Sequence, residues 1–160
     1  ATDGRKVRAR VGFVFQNPDT QIVMPTVAED VAFGLKPLKL AKADEATRVA
    51  EVLGAFGLSA EAERPAHLLS GGQKQLLALA SVMVMRPRWI IFDEPTTLLD
   101  LRNKARVTAA MAALDVSIVH VTHDLDQLDG YERVLVFHDG DLVADAPPFE
   151  AIKRYRALMA

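Results

Sequence analysis

The sequence predicts an α/β fold, and three observations carry that prediction. Trp89 to Phe92 is a short apolar run of the kind found in strands buried on both faces. Asp100 can then cap a helix with Val107, Met111 and Leu114 on one stripe, after which Ser117 to Val121 returns to an apolar strand. Ahead of these, residues 17–86 read as mainly helical, so strand-helix-strand units follow a helical segment.

Taken in order, Val7 to Phe15 is expected as the first strand. Val11, Phe13 and Phe15 lie on one face of it, and Gly12 permits close approach. Asn17-Pro18-Asp19 breaks that strand. Thr26-Val27-Ala28-Glu29 has the capping-box pattern and opens a helix reaching about Gly34, before Pro37. Asp44 is expected to cap a second helix, whose apolar positions Val49, Val52, Leu53 and Phe56 keep helical spacing until Gly57 ends it. Ser70-x-x-Gln73 is a second capping box, and the helix behind it is apolar nearly all round through Met85. Val134 to Phe137 and Leu142 to Ala144, joined by His138-Asp139-Gly140-Asp141, predict a hairpin with an Asp-Gly turn. Phe149, Ile152 and Tyr155 predict a short last helix.

Composition sets the outer bounds. A length of 160 residues suits one domain with a real core, and half the residues are apolar, the balance of a globular protein. The net charge of −2 supplies no field for nucleic acid, and the absence of cysteine excludes disulfides and thiolate metal sites. The longest apolar run, Leu76 to Met85, falls short of the ~20 residues a membrane-spanning helix needs.

Four places combine residue type and position in ways that suit phosphate chemistry. Ser70-Gly71-Gly72 sits at a helix N-terminus, where backbone N–H groups and the helix dipole favour an anion and a serine hydroxyl can donate to phosphate oxygen. The same serine also suits a plain helix cap. Asp93 and Glu94 end a buried strand, where ligands bind in open α/β sheets. His123 and Asp124 follow the strand that ends at Val121, and Gln16 ends the first strand. His67, His120 and His138 lack metal-ligand spacing.

The order Gln16, Ser70-Gly71-Gly72-Gln73, Asp93-Glu94, Asp100, His123 resembles that of the ATP-binding cassette ATPases along nearly the whole chain. The resemblance implies a P-loop NTPase (RecA-like) core with a mostly parallel sheet plus a helical subdomain. Residues 17–86 would form that subdomain, and 1–16 and 87–160 the α/β core. It implies ATP and Mg2+ as cofactors. Asp93 would hold the metal through water, Glu94 would polarise the attacking water, and Gln16 would touch both and relay nucleotide state. Ser70, Gly71, Gly72 and Gln73 would reach the γ-phosphate held by a second ATPase subunit. Asp100 would lie in the loop that crosses that dimer, and His123 would contact the γ-phosphate.

Val14-Phe15-Gln16-Asn17-Pro18-Asp19-Thr20-Gln21, followed by Thr26 to Gly34, resembles the ATPases of energy-coupling factor importers, which take up vitamins or transition-metal ions. That likeness implies a transmembrane coupling subunit and a substrate-binding membrane subunit, at the cytoplasmic face of the membrane. The short stretch after the hairpin resembles the biotin and cobalt/nickel ATPases, with biotin favoured. Other ABC transporter ATPases, or a non-catalytic piece that docks a membrane partner, are the alternatives. Leu98-Leu99 departs from the smaller residues many relatives carry there. No G-x-x-x-x-G-K-[ST] occurs anywhere in the sequence. The expectation is therefore a core incomplete at the N-terminus, the C-terminal portion of a longer ATPase, with no ATP turnover by these residues alone.

Overall fold

The computed structural model describes residues 4, 6, 7 and 9–160. Chain contacts divide it into two compact units, one running through Val121 and one beginning at Thr122.

The first unit is organised by a parallel sheet of order β1-β2-β3, formed by β1 (Val11–Val14), β2 (Trp89–Asp93) and β3 (Ser117–Val121). Val11 pairs with Trp89 and Val14 with Phe92, while Trp89 pairs with Ser117 and Asp93 with Val121. Alternation of side chains puts Gly12, Val14, Ile90 and Phe92 on the packed face. Phe13 and Trp89 point the other way and are exposed.

Beside this sheet the same unit holds the helices α1 (Val27–Phe33), α2 (Lys42–Ala55), α3 (Gly71–Met83) and α4 (Leu101–Ala112). Helix α3 is central. Leu76, Leu77 and Leu79 are fully buried on it, each stabilising the fold by about 1.5–3 kcal/mol through burial. A Cβ on Gly12 would collide with Val82 of α3, so this glycine lets strand and helix approach closely. Val27, Val31, Leu35, Leu53 and Leu58 close the core around it.

Several local expectations hold. Thr26 and Ser70 both make complete capping boxes, with Glu29 and Gln73 as the reciprocal partners. Gly57 takes φ 64° after α2; its N–H donates to the Gly54 carbonyl and that of Leu58 to Leu53, a Schellman ending. Asp44 does not cap α2. The helix begins at Lys42 behind Ala41, which makes no side-chain cap, and Asp44 sits in the first turn with Glu45, where acids complement the helix dipole.

The first strand is also shorter than the expected 7–15. Lys6 and Val7 are helical, residues 9 and 10 form a turn, and pairing to β2 runs only from Val11 to Val14. Beyond Val14 the backbone of Phe15 bonds to the side chains of Gln21 and Gln75. Residues 1–3, Arg5 and Arg8, the last within the expected strand, lie outside the described residues.

The second unit holds the hairpin β4 (Val134–His138) and β5 (Asp141–Ala146), with α5 (Pro148–Met159) packed on it. Asp139 and Gly140 both take positive φ, at 50° and 88°, as the two-residue hairpin turn requires. Arg133 grips Asp145 with two bonds of 2.6 Å. The last helix is a full 12 residues, with Ala151 buried. Among the described residues no helix is long and apolar enough to cross a membrane.

Candidate functional site

The three parallel strands end on the same edge of the sheet, where Asp93 closes β2, Glu94 follows it and Gln16 lies just beyond β1. Asp93 is the last residue of β2 and is half-buried opposite Val121. The Glu94 N–H donates to the Val121 carbonyl at 2.9 Å, so its backbone stays tied to β3. Glu94 then turns through φ 46°, a left-handed conformation that costs a non-glycine residue about 1–2 kcal/mol. Its Oε2 accepts from the Thr97 hydroxyl at 2.8 Å.

Gln16 lies exposed, two positions beyond the end of β1. The next residue, Asn17, caps a single turn, Pro18–Thr20, by accepting from the Asp19 N–H at 3.0 Å. Gln16 lines a cavity of about 160 Å³ together with Gly71, Lys74, Leu98 and Leu99. The structure thus brings the end of β1, the start of α3 and the loop before Asp100 to one place.

At the mouth of α3, Ser70 is exposed and its oxygen accepts from the Gln73 N–H at 3.4 Å. Gln73 returns the bond from its Oε1 to the Ser70 N–H at 3.0 Å, and its Nε2 donates to Glu61 at 3.1 Å. Gly71 is exposed, whereas Gly72 is buried against Asn103. Asp100 caps α4: Oδ1 accepts from the Asn103 N–H at 2.9 Å and Oδ2 from its amide at 2.7 Å. The backbone bond from Asn103, and then the side-chain bond, hold the Asp100 carboxyl below the usual carboxylate value. His123 is exposed and belongs to the second unit, two positions past the end of β3.

The residues that sequence reasoning missed are those that hold this arrangement. Lys74 pairs with Asp19 at 2.6 Å, Gln75 donates to the Phe15 carbonyl at 3.2 Å, and Gln21 reaches the Ala78 carbonyl at 3.1 Å. The available signal was Gln75 itself, a polar residue amid the apolar positions of α3.

Residues 2–97 match the family model for the ABC transporter. The chain belongs to the ABC transporter family. A Deinococcus radiodurans protein named for ABC transporter ATP binding is 59% identical to this ABC transporter chain over 157 residues, spanning 98% of the chain and 70% of the relative. The biotin transport ATP-binding protein BioM of Rhizobium etli is 51% identical, over 99% of the chain and 70% of its own length. Among solved structures, CbiO1 of Clostridium perfringens, part of the ABC transporter complex CbiONQ, superposes with a TM-score of 0.86 at 32% identity. The match takes in 99% of this chain and 66% of CbiO1.

Proposed function

We propose that this chain serves in the ATP-binding, ATP-hydrolysing subunit of an energy-coupling factor importer, with biotin favoured over a transition-metal ion as cargo. The observation that carries the reading is the placement of Asp93 and Glu94 at the carboxyl end of β2, between the ends of β1 and β3, with Gln16 just beyond β1. The similarity to BioM supports the choice of cargo.

In this reading Asp93 and Gln16 hold Mg2+. Asp93, half-buried at the end of β2, supplies one carboxylate, and Mg2+ is held by one or two carboxylates together with substrate phosphates. When bound, the ion neutralises charge developing on the phosphates. Glu94 orients and polarises the attacking water from a backbone already fixed to β3. His123 contacts the γ-phosphate. Ser70 caps α3 with an oxygen lone pair, which leaves its proton for a phosphate oxygen. Gly71 and Gly72 present the first turn of α3 to the same anion, and Gln73 fixes Ser70 from within that turn. The nucleotide these four residues serve is held by a second ATPase subunit, and Asp100 lies in the loop that crosses between the two.

Residues 17–86 act as the helical subdomain that meets a transmembrane coupling subunit, alongside a substrate-binding membrane subunit, at the cytoplasmic face of the membrane. The 160 residues contain no phosphate loop, so the test uses the subunit as encoded, assembled with its membrane partners. Vesicles carrying that complex should accumulate biotin only when Mg2+ and ATP are supplied on the subunit's side. Absence of ATP turnover sinks the reading, while turnover coupled to cobalt or nickel uptake reassigns the cargo.

A further inference from the structure

One stripe of α3 makes a polar contact at every turn to the chain segment that follows β1. Lys74 pairs with Asp19 at 2.6 Å. Gln75 is 1% exposed, and its Nε2 donates to the Phe15 carbonyl at 3.2 Å. The Ala78 carbonyl accepts from Gln21 Nε2 at 3.1 Å, and the Ser81 hydroxyl donates to Asp30 at 2.8 Å. Positions 74, 78 and 81 are spaced i, i+4, i+7, with 75 adjacent, so these contacts share one helix face. Asp30 in turn accepts from the Val23 and Met24 N–H groups at 2.8 and 3.0 Å. Both ends of the segment from Phe15 to Met24 are therefore tied to the same helix.

Phe15 is gripped most closely. Its N–H donates to Gln21 Oε1 at 3.2 Å while its carbonyl accepts from Gln75, so two side-chain amides hold both backbone polar groups of a residue that follows the last paired position, Val14. The peptide so held leads directly into Gln16. We propose that Gln75 and Gln21 are positioning residues for ATP hydrolysis: by clamping the Phe15 peptide to α3 they set the direction of Gln16 and make it move as one body with Ser70 at the head of that helix. This deepens the proposed function and rests on its assignment of Gln16 and Ser70 to nucleotide.

The energetics make the clamp separable from folding. Among the described residues Gln75 Oε1 is buried without a hydrogen-bond partner, an unfavourable state that replacement by an apolar side chain of similar size removes along with the one bond to Phe15. A purely structural Gln75 would thus be replaced with little consequence of any kind.

The test compares the parent with Gln75→Leu, Gln21→Leu and the double variant, each in the encoded subunit assembled with its membrane partners. Gln75→Met serves as a second shape should the leucine fail to fold. Each single variant should lower kcat about tenfold to hundredfold, as expected when a reacting group is misdirected, with KM for ATP and the melting temperature held near the parent. The double variant should fall no further than the weaker single variant, because both act on one peptide. Kcat within about twofold of the parent in both single variants, or losses that multiply in the double variant, would overturn the clamp. A parent without turnover would instead fail the functional reading itself, so the two failures are distinct.

Discussion

The side chain of Asn103 occupies the space that a Cβ on Gly72 would need. Asn103 is itself fixed by two bonds to Asp100, so the first turns of α3 and α4 pack through a glycine and a capped amide. Gly72 thus has a packing reason to be glycine, beside any approach of phosphate.

Gly72→Ala should therefore destabilise the protein by about 1–3 kcal/mol, the usual cost of overpacking, despite alanine's better helix propensity. The clash extends to the Asn103 Cβ, 2.8 Å from the added carbon. Adding Asn103→Ala should for that reason recover only part of the loss. Urea unfolding of the parent, single and double variants checks this, and an undiminished Gly72→Ala would show that α4 gives way freely.

At Glu94 the backbone penalty can be isolated from the side chain's role. Both Glu94→Gly and Glu94→Ala lose the bond from Thr97, but only alanine must hold φ 46° with a Cβ. The glycine variant should be more stable than the alanine variant by about 1–2 kcal/mol, read from denaturant midpoints. Equal stabilities would mean that this turn relaxes when the carboxylate is gone.

Two exposed carboxylates predict the acid limb of stability. Asp100, held by Asn103, and Asp145, held by Arg133, both titrate below their usual value of 3.8. A carboxyl depressed by folding adds stability that is fully present above its unfolded value and is lost as pH falls through the lower folded one. Asp100→Ala and Asp145→Ala should each be less stable than the parent near neutral pH. Both gaps should close as pH drops below 3.8, measured as thermal midpoints against pH. The Asp145 gap should also shrink in high salt, because its partner is a surface guanidinium.

Much of the fold was legible because its causes are local. The capping boxes at Thr26 and Ser70, the Asp100 cap and the Asp139-Gly140 turn each depend on residues within a few positions of one another. The bounds of β1 were misjudged because they are set by a distant partner: pairing to β2 runs only from Val11 with Trp89 to Val14 with Phe92. Asp44 was misplaced because α2 starts without any side-chain cap, so no local residue marks its first turn. The same distinction holds in the site. The motif residues stand out by type and order, whereas Gln21, Gln75 and Asn103 acquire their meaning only from helix α3 packing on its neighbours.

The proposed role of Glu94, activating water for attack on ATP, is tested by Glu94→Gln in the encoded subunit assembled with its membrane partners. The amide keeps the size of the side chain and can still accept from Thr97, but cannot act as a base. In a single-turnover assay with Mg2+ and radiolabelled ATP, nucleotide should bind and remain uncleaved, with hydrolysis slowed by about 100-fold or more. Cleavage at the parental rate would remove Glu94 from that role.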